Sequence, residues 1–277
     1  MPKIILVLSF FTLFIFSSCR KDTQNANENA FLVDERSDFI DENNSFDAVL
    51  PTEAVSFPVF TPSSTTGVVI ARETFTFSYN EDHEQAEWVA YYLTRKDIQP
   101  KKYKRPYFNQ DPLVKTKSAD WKNYKNVIYN RGHLLPAADR RASFEDYQET
   151  FYTSNISPQL PEFNAGVWND LEQKVRNWAS KYDSLYVVTG GVLSDNLPHI
   201  GYEKVSVPNY FYKVVATKDA SKMIAFLVPH QAQNKKQLKE FVVAVDSIEK
   251  LTGIDFFEQL PINFQAEKES QTNYNEW

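Results

Sequence analysis

Two kinds of hydrophobic periodicity alternate along the chain after residue 67. Runs rich in β-branched and aromatic residues predict strands, and they cover residues 68–79, 88–94, 185–189, 211–217 and 223–228. Apolar residues spaced three and four apart predict two helices, one from Trp168 to Trp178 and one from Leu238 to Leu251. Strands on both sides of a helix predict an α+β domain built on a sheet.

The N-terminus has the pattern of an export signal. Lys3 precedes an almost unbroken apolar run over residues 4–16, which two serines separate from Cys19, the single cysteine of the chain. The run is too short to span a membrane comfortably, so we predict a signal peptide over residues 1–18. The pattern resembles the lipobox of bacterial lipoproteins, in which the cysteine is lipidated. A plain secretory peptide with an incidental cysteine is the alternative.

Residues 19–50 predict an acidic, disordered tether that carries the lipidated cysteine. Eight acidic residues stand against three basic ones there, and few apolar residues are available to offset the entropy lost on ordering. The predicted folded domain, residues 51–277, is close to neutral with 26 basic and 28 acidic residues. A single cysteine excludes a disulfide framework and a metal site built from several thiolates.

A net charge of −6 argues against a protein that binds polyanions over its whole surface. The charge is uneven, however, because residues 95–141 contain thirteen Lys or Arg and only four Asp. Aromatic residues are interleaved with these cations. The segment is either a solvated surface or the electrostatic footprint of a polyanion site.

His133 is the histidine in the most informative setting. It closes the segment 130–133 (Asn-Arg-Gly-His), where Arg131 supplies a fixed positive charge and Gly132 permits an unusual backbone conformation. Hydrolysis of a phosphodiester requires a base that deprotonates water and cations that stabilise the added negative charge. For His83, His199 and His230 we favour structural roles.

Several segments together resemble the DNA/RNA non-specific endonucleases, the family with a ββα-metal (His-Me finger) site. Residues 130–133 are similar to the family's Asp-Arg-Gly-His motif, and the similarity extends over residues 67–262. The other matching elements are Arg105, Phe108, Asp111 and Pro112, then residues 153–159 and 163–168, then Leu171, Glu172, Val175 and Arg176, and lastly residues 187–190 and 252–257. The resemblance implies a central antiparallel sheet flanked by helices, and an endonuclease that hydrolyses DNA and RNA.

The resemblance also implies a role for each matching residue. His133 would be the general base that activates water. Asn164 would be the only direct protein ligand of one Mg²⁺, Mn²⁺ or other divalent ion, and Glu172 would hold the water molecules of that ion from outside. Three arginines would contact the phosphate or the developing charge, and Asn155 would fix the loop of His133. The three are Arg105, Arg131 and Arg176.

Three of these residues also have an ordinary structural interpretation. Asn164 could be a helix N-cap, and Glu172 with Arg176 could be a surface salt bridge of little consequence. The motif departs from the family at Asn130, where Asp is usual. Asn accepts similar hydrogen bonds without the charge, so the pH optimum and turnover are affected more than the existence of activity.

The resulting prediction is an exported endonuclease with DNA and RNA as substrates, attached to the outer membrane through Cys19 and facing the periplasm or the exterior. Base selectivity is expected to be low, because phosphate and sugar carry no sequence information directly. The rival is a non-catalytic envelope lipoprotein that binds nucleic acids or other polyanions. Dimers occur in parts of the family, and the sequence does not decide whether this chain forms a homodimer.

Overall fold

A computed structural model of the protein describes residues 60–233 and 237–277. The predicted signal peptide, Cys19 and the acidic tether lie outside these residues and stay predictions. Among the described residues, no helix is long and apolar enough to span a membrane.

The described residues form a mixed α and β structure. The strands are β1 Val69–Ala71, β2 Thr76–Asn80, β3 Gln85–Thr94, β4 Asn130–His133, β5 Ile156–Gln159, β6 Ser184–Gly191, β7 His199–Ile200, β8 Val205–Ser206, β9 Tyr210–Thr217, β10 Met223–Pro229 and β11 Val242–Val243. The helices are α1 Phe144–Glu149, α2 Pro161–Phe163, α3 Asn169–Tyr182, α4 Val245–Thr252 and α5 Ile262–Lys268.

An antiparallel sheet of seven strands organises this part of the chain, in the order β1-β2-β3-β6-β9-β10-β11. Successive side chains of a strand point to opposite faces, so Val187 and Val188 enter different hydrophobic clusters. Helix α3 covers one face through Leu171 and Val175. Helix α4 covers the other face through Val245 and Ile248. The predicted α+β class with a central antiparallel sheet and flanking helices is confirmed.

The strand predicted over residues 68–79 is wrong in one respect, because it is two strands. Ala71 pairs with Thr76, and the polar residues between them form a turn closed by a hydrogen bond from the Arg72 N–H to the Phe75 carbonyl. The Arg72 side chain leaves this turn to pair with Asp111 and Glu149. The three consecutive polar residues 72–74 therefore divide the predicted strand into two antiparallel strands, β1 and β2.

The helix predicted over residues 238–251 is also wrong in its first half. Leu238–Phe241 is a single 3₁₀ turn, β11 pairs with β10, and only α4 is helical. Phe241 packs on the face of the sheet that α3 covers, whereas Val245 packs on the opposite face. The chain crosses the edge of the sheet between these two residues. The apolar residues of segment 238–251 therefore keep a helical spacing although they pack in two separate hydrophobic clusters.

A second, two-stranded sheet carries His133, the predicted general base. Strands β4 and β5 pair with each other outside the main sheet, and the chain then enters α2 and α3. No strand at β4 or β5 follows from the alternation pattern, because both strands are short and polar. The hairpin carries Asn130, Arg131 and His133, and the helical segment after it carries Asn164, Glu172 and Arg176. Arg105 and Asn155, which the sequence also predicts for the site, lie outside these elements.

Candidate active site

The β4–β5 hairpin positions His133. The register pairs Asn130 with Gln159, Arg131 with Pro158, and His133 with Ile156. His133 is thus the last residue of β4, where the chain turns into the protein interior.

Aromatic rings surround the imidazole of His133. The centroids of Phe108 and Phe151 lie 5.7 Å and 5.0 Å from that of His133, and Phe151 meets the imidazole edge-on. The Nε2 atom is buried and has no hydrogen-bond partner among the described residues. Burial, together with the positive charge of Arg105, lowers the pKa of His133 to about 3. His133 is therefore a neutral ring with an unused nitrogen.

Asn155 fixes the backbone that follows His133. Its side-chain oxygen accepts from the Leu135 N–H at 2.8 Å, and its side-chain nitrogen donates to the carbonyls of Leu135 at 3.0 Å and Thr150 at 2.9 Å. The Leu134 N–H donates to the Asn155 carbonyl. A fully buried amide whose donors and acceptor are all engaged in this way holds a loop in a single conformation.

Gly132 serves close packing and not an unusual backbone conformation, which corrects the sequence interpretation. It lies in the regular β4 ladder, and its φ is not among the positive values of the described chain. A Cβ at this position would come within 2.2 Å of the Gln159 side chain. Gln159 is fully buried, and both its side-chain oxygen and nitrogen lack partners among the described residues. Glycine is required because the buried Gln159 occupies the space of a side chain.

Two of the predicted arginines lie beside the histidine. The guanidinium carbons of Arg131 and Arg105 lie 4.9 Å and 5.4 Å from the centroid of Phe108, which itself contacts His133. The segment that carries Arg105 is held by hydrogen bonds that link the backbone of Asn109 to Phe151 and Thr153. Cationic groups, an aromatic floor and a neutral histidine therefore meet at one place.

A cavity of about 710 Å³ opens at this place. Its lining is basic and aromatic, and the Tyr107 ring is 89% exposed. The lining residues are Lys104, Arg105, Pro106, Tyr107, Phe108, Asn109, Trp121 and Arg131. They belong to the basic segment of the sequence, so part of that segment forms a polyanion-compatible surface and is not merely solvated.

Asn164 lies inside the helical segment, which excludes its interpretation as an N-cap. It follows α2 with helical backbone angles, φ −62° and ψ −46°, and starts the segment Asn164–Trp168 that joins α2 to α3. This segment is kinked at Gly166, whose φ of −98° and ψ of −117° are not helical. The N-cap position of α3 is Trp168, and no side chain caps that helix. The Asn164 side chain takes part in no hydrogen bond with the described residues, so its amide oxygen is available.

Glu172 and Arg176 do not form an exposed surface pair. Their side chains are 14% and 15% exposed, and the guanidinium lies 4.0 Å from the carboxylate. Arg176 makes its close contact elsewhere, because its Nη1 donates to the buried carboxylate of Asp139 at 2.8 Å. The phosphate contact predicted for Arg176 stays a prediction, and the structure shows this side chain tied to Asp139.

Lys213 is a site residue that the sequence analysis missed. It is 1% exposed, its Nζ has no hydrogen-bond partner among the described residues, and it lies 4.8 Å from the Trp168 ring centroid. Burial lowers its pKa, which the charges of Glu172 and Asp139 oppose. Burial raises the pKa of Glu172, which the charge of Lys213 opposes. A lysine within the apolar run of a buried strand is the signal that could have revealed it.

The available donors fit a hard divalent cation. Asn164 offers an amide oxygen and Glu172 a carboxylate, and neither oxygen accepts a hydrogen bond from the described residues. Oxygen ligands are those that Mg²⁺ and Mn²⁺ prefer. The carboxylate of Glu172 is only 14% exposed, and Arg176 at 4.0 Å does not hydrogen-bond to it, so a nearby ion would further offset the cost of its charge.

Packing connects the histidine half of the site to the helical half. Leu134 and Leu135, directly after His133, belong to the core cluster that contains Phe163 and Leu171 from the helical segment. Asp139, six residues after His133, is the partner of Arg176 on α3. Asn130 differs from the other predicted residues, because it is exposed at the start of β4 and its side chain makes no hydrogen bond with the described residues. Its supporting role stays a prediction.

A family model for the DNA/RNA non-specific endonucleases matches residues 54–263, most of the chain. The chain belongs to this family. The ββα arrangement of β4, β5 and the helical segment is consistent with membership, and the predicted enzyme class, an endonuclease, is the class of the family.

Known relatives of the chain are named nucleases. A protein named "Nuclease" from a Nostoc species is 30% identical over 221 residues, which cover 74% of this chain and 78% of the relative. The mitochondrial nuclease EXOG of Danio rerio is 34% identical over 201 residues, 66% of this chain and 59% of the relative. The chain therefore spans less than two thirds of that relative. A crystal structure of EndoG in complex with EndoGI, which describes EndoG inhibition, superposes with a TM-score of 0.64 at 29% identity and covers 70% of this chain and 86% of that one.

Replacement of Gly132 by alanine is expected to destabilise the endonuclease domain by about 1–3 kcal/mol, because overpacking forces a buried side chain to move. The added methyl would meet Gln159, so Gln159→Ala should relieve part of the penalty. Urea denaturation of both single variants and the double variant measures the coupling. Strictly additive effects would show that Gln159 is not the obstacle.

The imidazole of His133 is expected to stay neutral in the metal-free protein as the pH falls from 7 to about 4, since its pKa is lowered to about 3. NMR titration of the ring protons, with His133→Gln as the assignment control, measures this directly. A midpoint near the ordinary histidine value of about 6.5 would contradict the buried environment.

Proposed function

We propose that this protein is a metal-dependent endonuclease that cleaves phosphodiester bonds of both DNA and RNA, with His133 as general base and one divalent ion held by Asn164. The observation that supports the proposal most directly is the neutral His133 packed on Phe108, a residue that lines the same cavity as Arg105 and Arg131.

His133 would accept the proton of the attacking water. The imidazole keeps a lone pair at neutral pH because burial and Arg105 hold the ring uncharged. As the water loses this proton to the imidazole, its oxygen bonds to phosphorus and the bond to the 3′-oxygen breaks. A bound phosphate brings negative charge next to the ring, which raises the pKa of His133 and favours proton uptake at that moment.

Asn164 would be the direct ligand of the divalent ion, Mg²⁺ or Mn²⁺, and Glu172 would hold the surrounding water by hydrogen bonds. When bound, such an ion neutralises a phosphate oxygen and stabilises the charge on the leaving 3′-oxygen. Arg176 would orient the Glu172 carboxylate, since Asp139 fixes the guanidinium at 4.0 Å from it. The direction of Glu172 therefore depends on the Asp139 contact.

Arg105 and Arg131 would grip the phosphate backbone. Both reach the cavity that Tyr107 and Trp121 also line, and aromatic faces stack on any base. Neither phosphate contacts nor stacking carry much sequence information. Such a surface accounts for cleavage of DNA and RNA with low base selectivity.

The substitutions His133→Ala and Asn164→Ala are expected to abolish nearly all cleavage. Loss of a general base costs about 10²–10⁴-fold. Loss of a direct metal ligand should exceed the roughly 10–100-fold cost of losing an outer one, and excess Mg²⁺ should restore part of it. The measurement is cleavage of supercoiled plasmid and of RNA by the full-length protein, with Mg²⁺ or with EDTA. His199→Ala and Asn177→Ala, at exposed positions, are the matched controls and should cleave normally.

The same assay decides the rival function. If the wild-type protein retains nucleic acids but cleaves neither substrate over several metals and pH values, it is a binding lipoprotein and the departure at Asn130 becomes the reason. Cleavage that survives EDTA or the His133→Ala substitution would instead remove the proposed mechanism while leaving the nuclease.

We also propose that the enzyme is exported and anchored to the outer membrane through a lipid on Cys19. The support is the apolar run at residues 4–16 with a cysteine after it, and the acidic segment that would separate the anchor from the domain. Cells fed labelled palmitate should label the wild-type protein but not the Cys19→Ser variant, which should be released in soluble form. A variant that stays membrane-bound and labelled would exclude this anchor.

A further inference from the structure

Three carboxylates come together on the side of the sheet opposite to α3. Asp246 and Glu249 lie on α4, one helical turn apart, and Glu269 follows α5 directly. One carboxylate oxygen from each residue lies within 4.8 Å of the others. Since α4 packs on the second hydrophobic cluster and α3 on the first, this group is separate from the nuclease site.

Glu269 distinguishes this group from an ordinary exposed acidic patch. It is only 3% exposed, and its Oε1 atom is buried with no hydrogen-bond partner among the described residues. No salt bridge within residues 60–233 and 237–277 involves any of the three carboxylates. The described residues therefore supply no cation to this group. An ionised carboxylate that is buried without a donor or a cation costs folding free energy.

The local field is unfavourable for the anions as they stand. Burial, together with the charges of Glu249, Asp255 and Asp246, raises the pKa of Glu269 to about 8. Burial and neighbouring acidic charges raise the pKa of Glu249 to about 7, against the opposing effect of a hydrogen bond from the Phe256 N–H at 2.8 Å. Either a proton or a cation must offset this concentration of negative charge.

We propose that Asp246, Glu249 and Glu269 form a binding site for a hard divalent cation, with Ca²⁺ preferred over Mg²⁺. Ca²⁺ accepts oxygen ligands at about 2.3–2.6 Å in a flexible geometry, so one ion can bind three carboxylate oxygens that lie within 4.8 Å of one another. Mg²⁺ requires shorter distances and a stricter octahedron. Asp246 is exposed, so water can complete the coordination from the solvent side.

The ion would fasten the C-terminal helix to the core. The Glu269 carbonyl already accepts a hydrogen bond from the Val245 N–H at 2.8 Å, which joins the end of α5 to the start of α4. A cation between the side chains adds a second connection between the same two elements. Its role is therefore structural, and cleavage by the distant nuclease site does not require it.

Calorimetric titration of the full-length, chelator-treated protein with CaCl₂ tests the site. A dissociation constant in the range of weak extracellular calcium modules, about 10⁻⁴–10⁻³ M, is expected. Glu269→Gln and Asp246→Asn should each abolish this binding, whereas the exposed control Glu267→Gln should retain it. Asn164→Ala should also retain it, which separates this ion from the one proposed for catalysis. Calcium binding that Asn164→Ala abolishes and Glu269→Gln spares would overturn the proposal.

Thermal unfolding gives a second readout. Ca²⁺ at tenfold its dissociation constant should raise the Tm by about 3–6 °C in the wild type and in Glu267→Gln, but not in Asp246→Asn, whose exposed position tolerates substitution. MgCl₂ should give a smaller increase. If Glu249 and Glu269 instead share a proton, Ca²⁺ will neither bind nor raise the Tm at pH 7, and the proposal fails.

Discussion

The buried carboxylate of Asp139 is the constraint on which the geometry of the site depends. It accepts hydrogen bonds from the Tyr91 hydroxyl at 3.1 Å and from Arg176 at 2.8 Å, and thereby joins strand β3, the segment after His133 and helix α3. An anion this deep requires such partners, and loss of one partner of a buried pair commonly costs about 3–5 kcal/mol. Arg176 in turn lies beside Glu172, so the orientation of the proposed metal-binding carboxylate follows from a contact with the histidine segment. Packing and charge thus fix the position of the histidine segment relative to helix α3.

The main sheet supplies rigidity, and the site lies on elements outside it. Both faces of the sheet are covered, one by α3 and the other by α4, which leaves the short β4–β5 hairpin to present His133. In addition to the β4–β5 ladder, side-chain hydrogen bonds of Asn155 hold the backbone of Leu135, and Gly132 leaves room for the buried Gln159. A histidine on so short a hairpin needs these contacts to keep a fixed position.

The sequence predicts the elements that have one periodicity and one environment. The strands β3, β6, β9 and β10 are predictable because each is a continuous run rich in β-branched and aromatic residues that is buried on both faces. Helix α3 is predictable because its apolar residues keep helical spacing against one core. The structure of segment 238–251 is not predictable in this way, because its apolar residues keep a helical spacing while the chain passes from one face of the sheet to the other. Among site residues, the motif selected His133 but not Lys213, whose partner Glu172 is 41 positions away. The contact between Lys213 and Glu172 forms only in the folded protein, so no local sequence pattern predicts it.

The central claim is that His133 and an ion held by Asn164 act on the same phosphodiester. A crystal structure of His133→Ala bound to a DNA duplex with Mn²⁺ tests it most directly, because the variant should bind substrate without cleaving it. The account predicts one ion ligated by the Asn164 side-chain oxygen, with Glu172 contacting it through water. It also predicts a phosphate between that ion and the space left by the imidazole. An ion bound away from Asn164, or a phosphate out of reach of position 133, would contradict it.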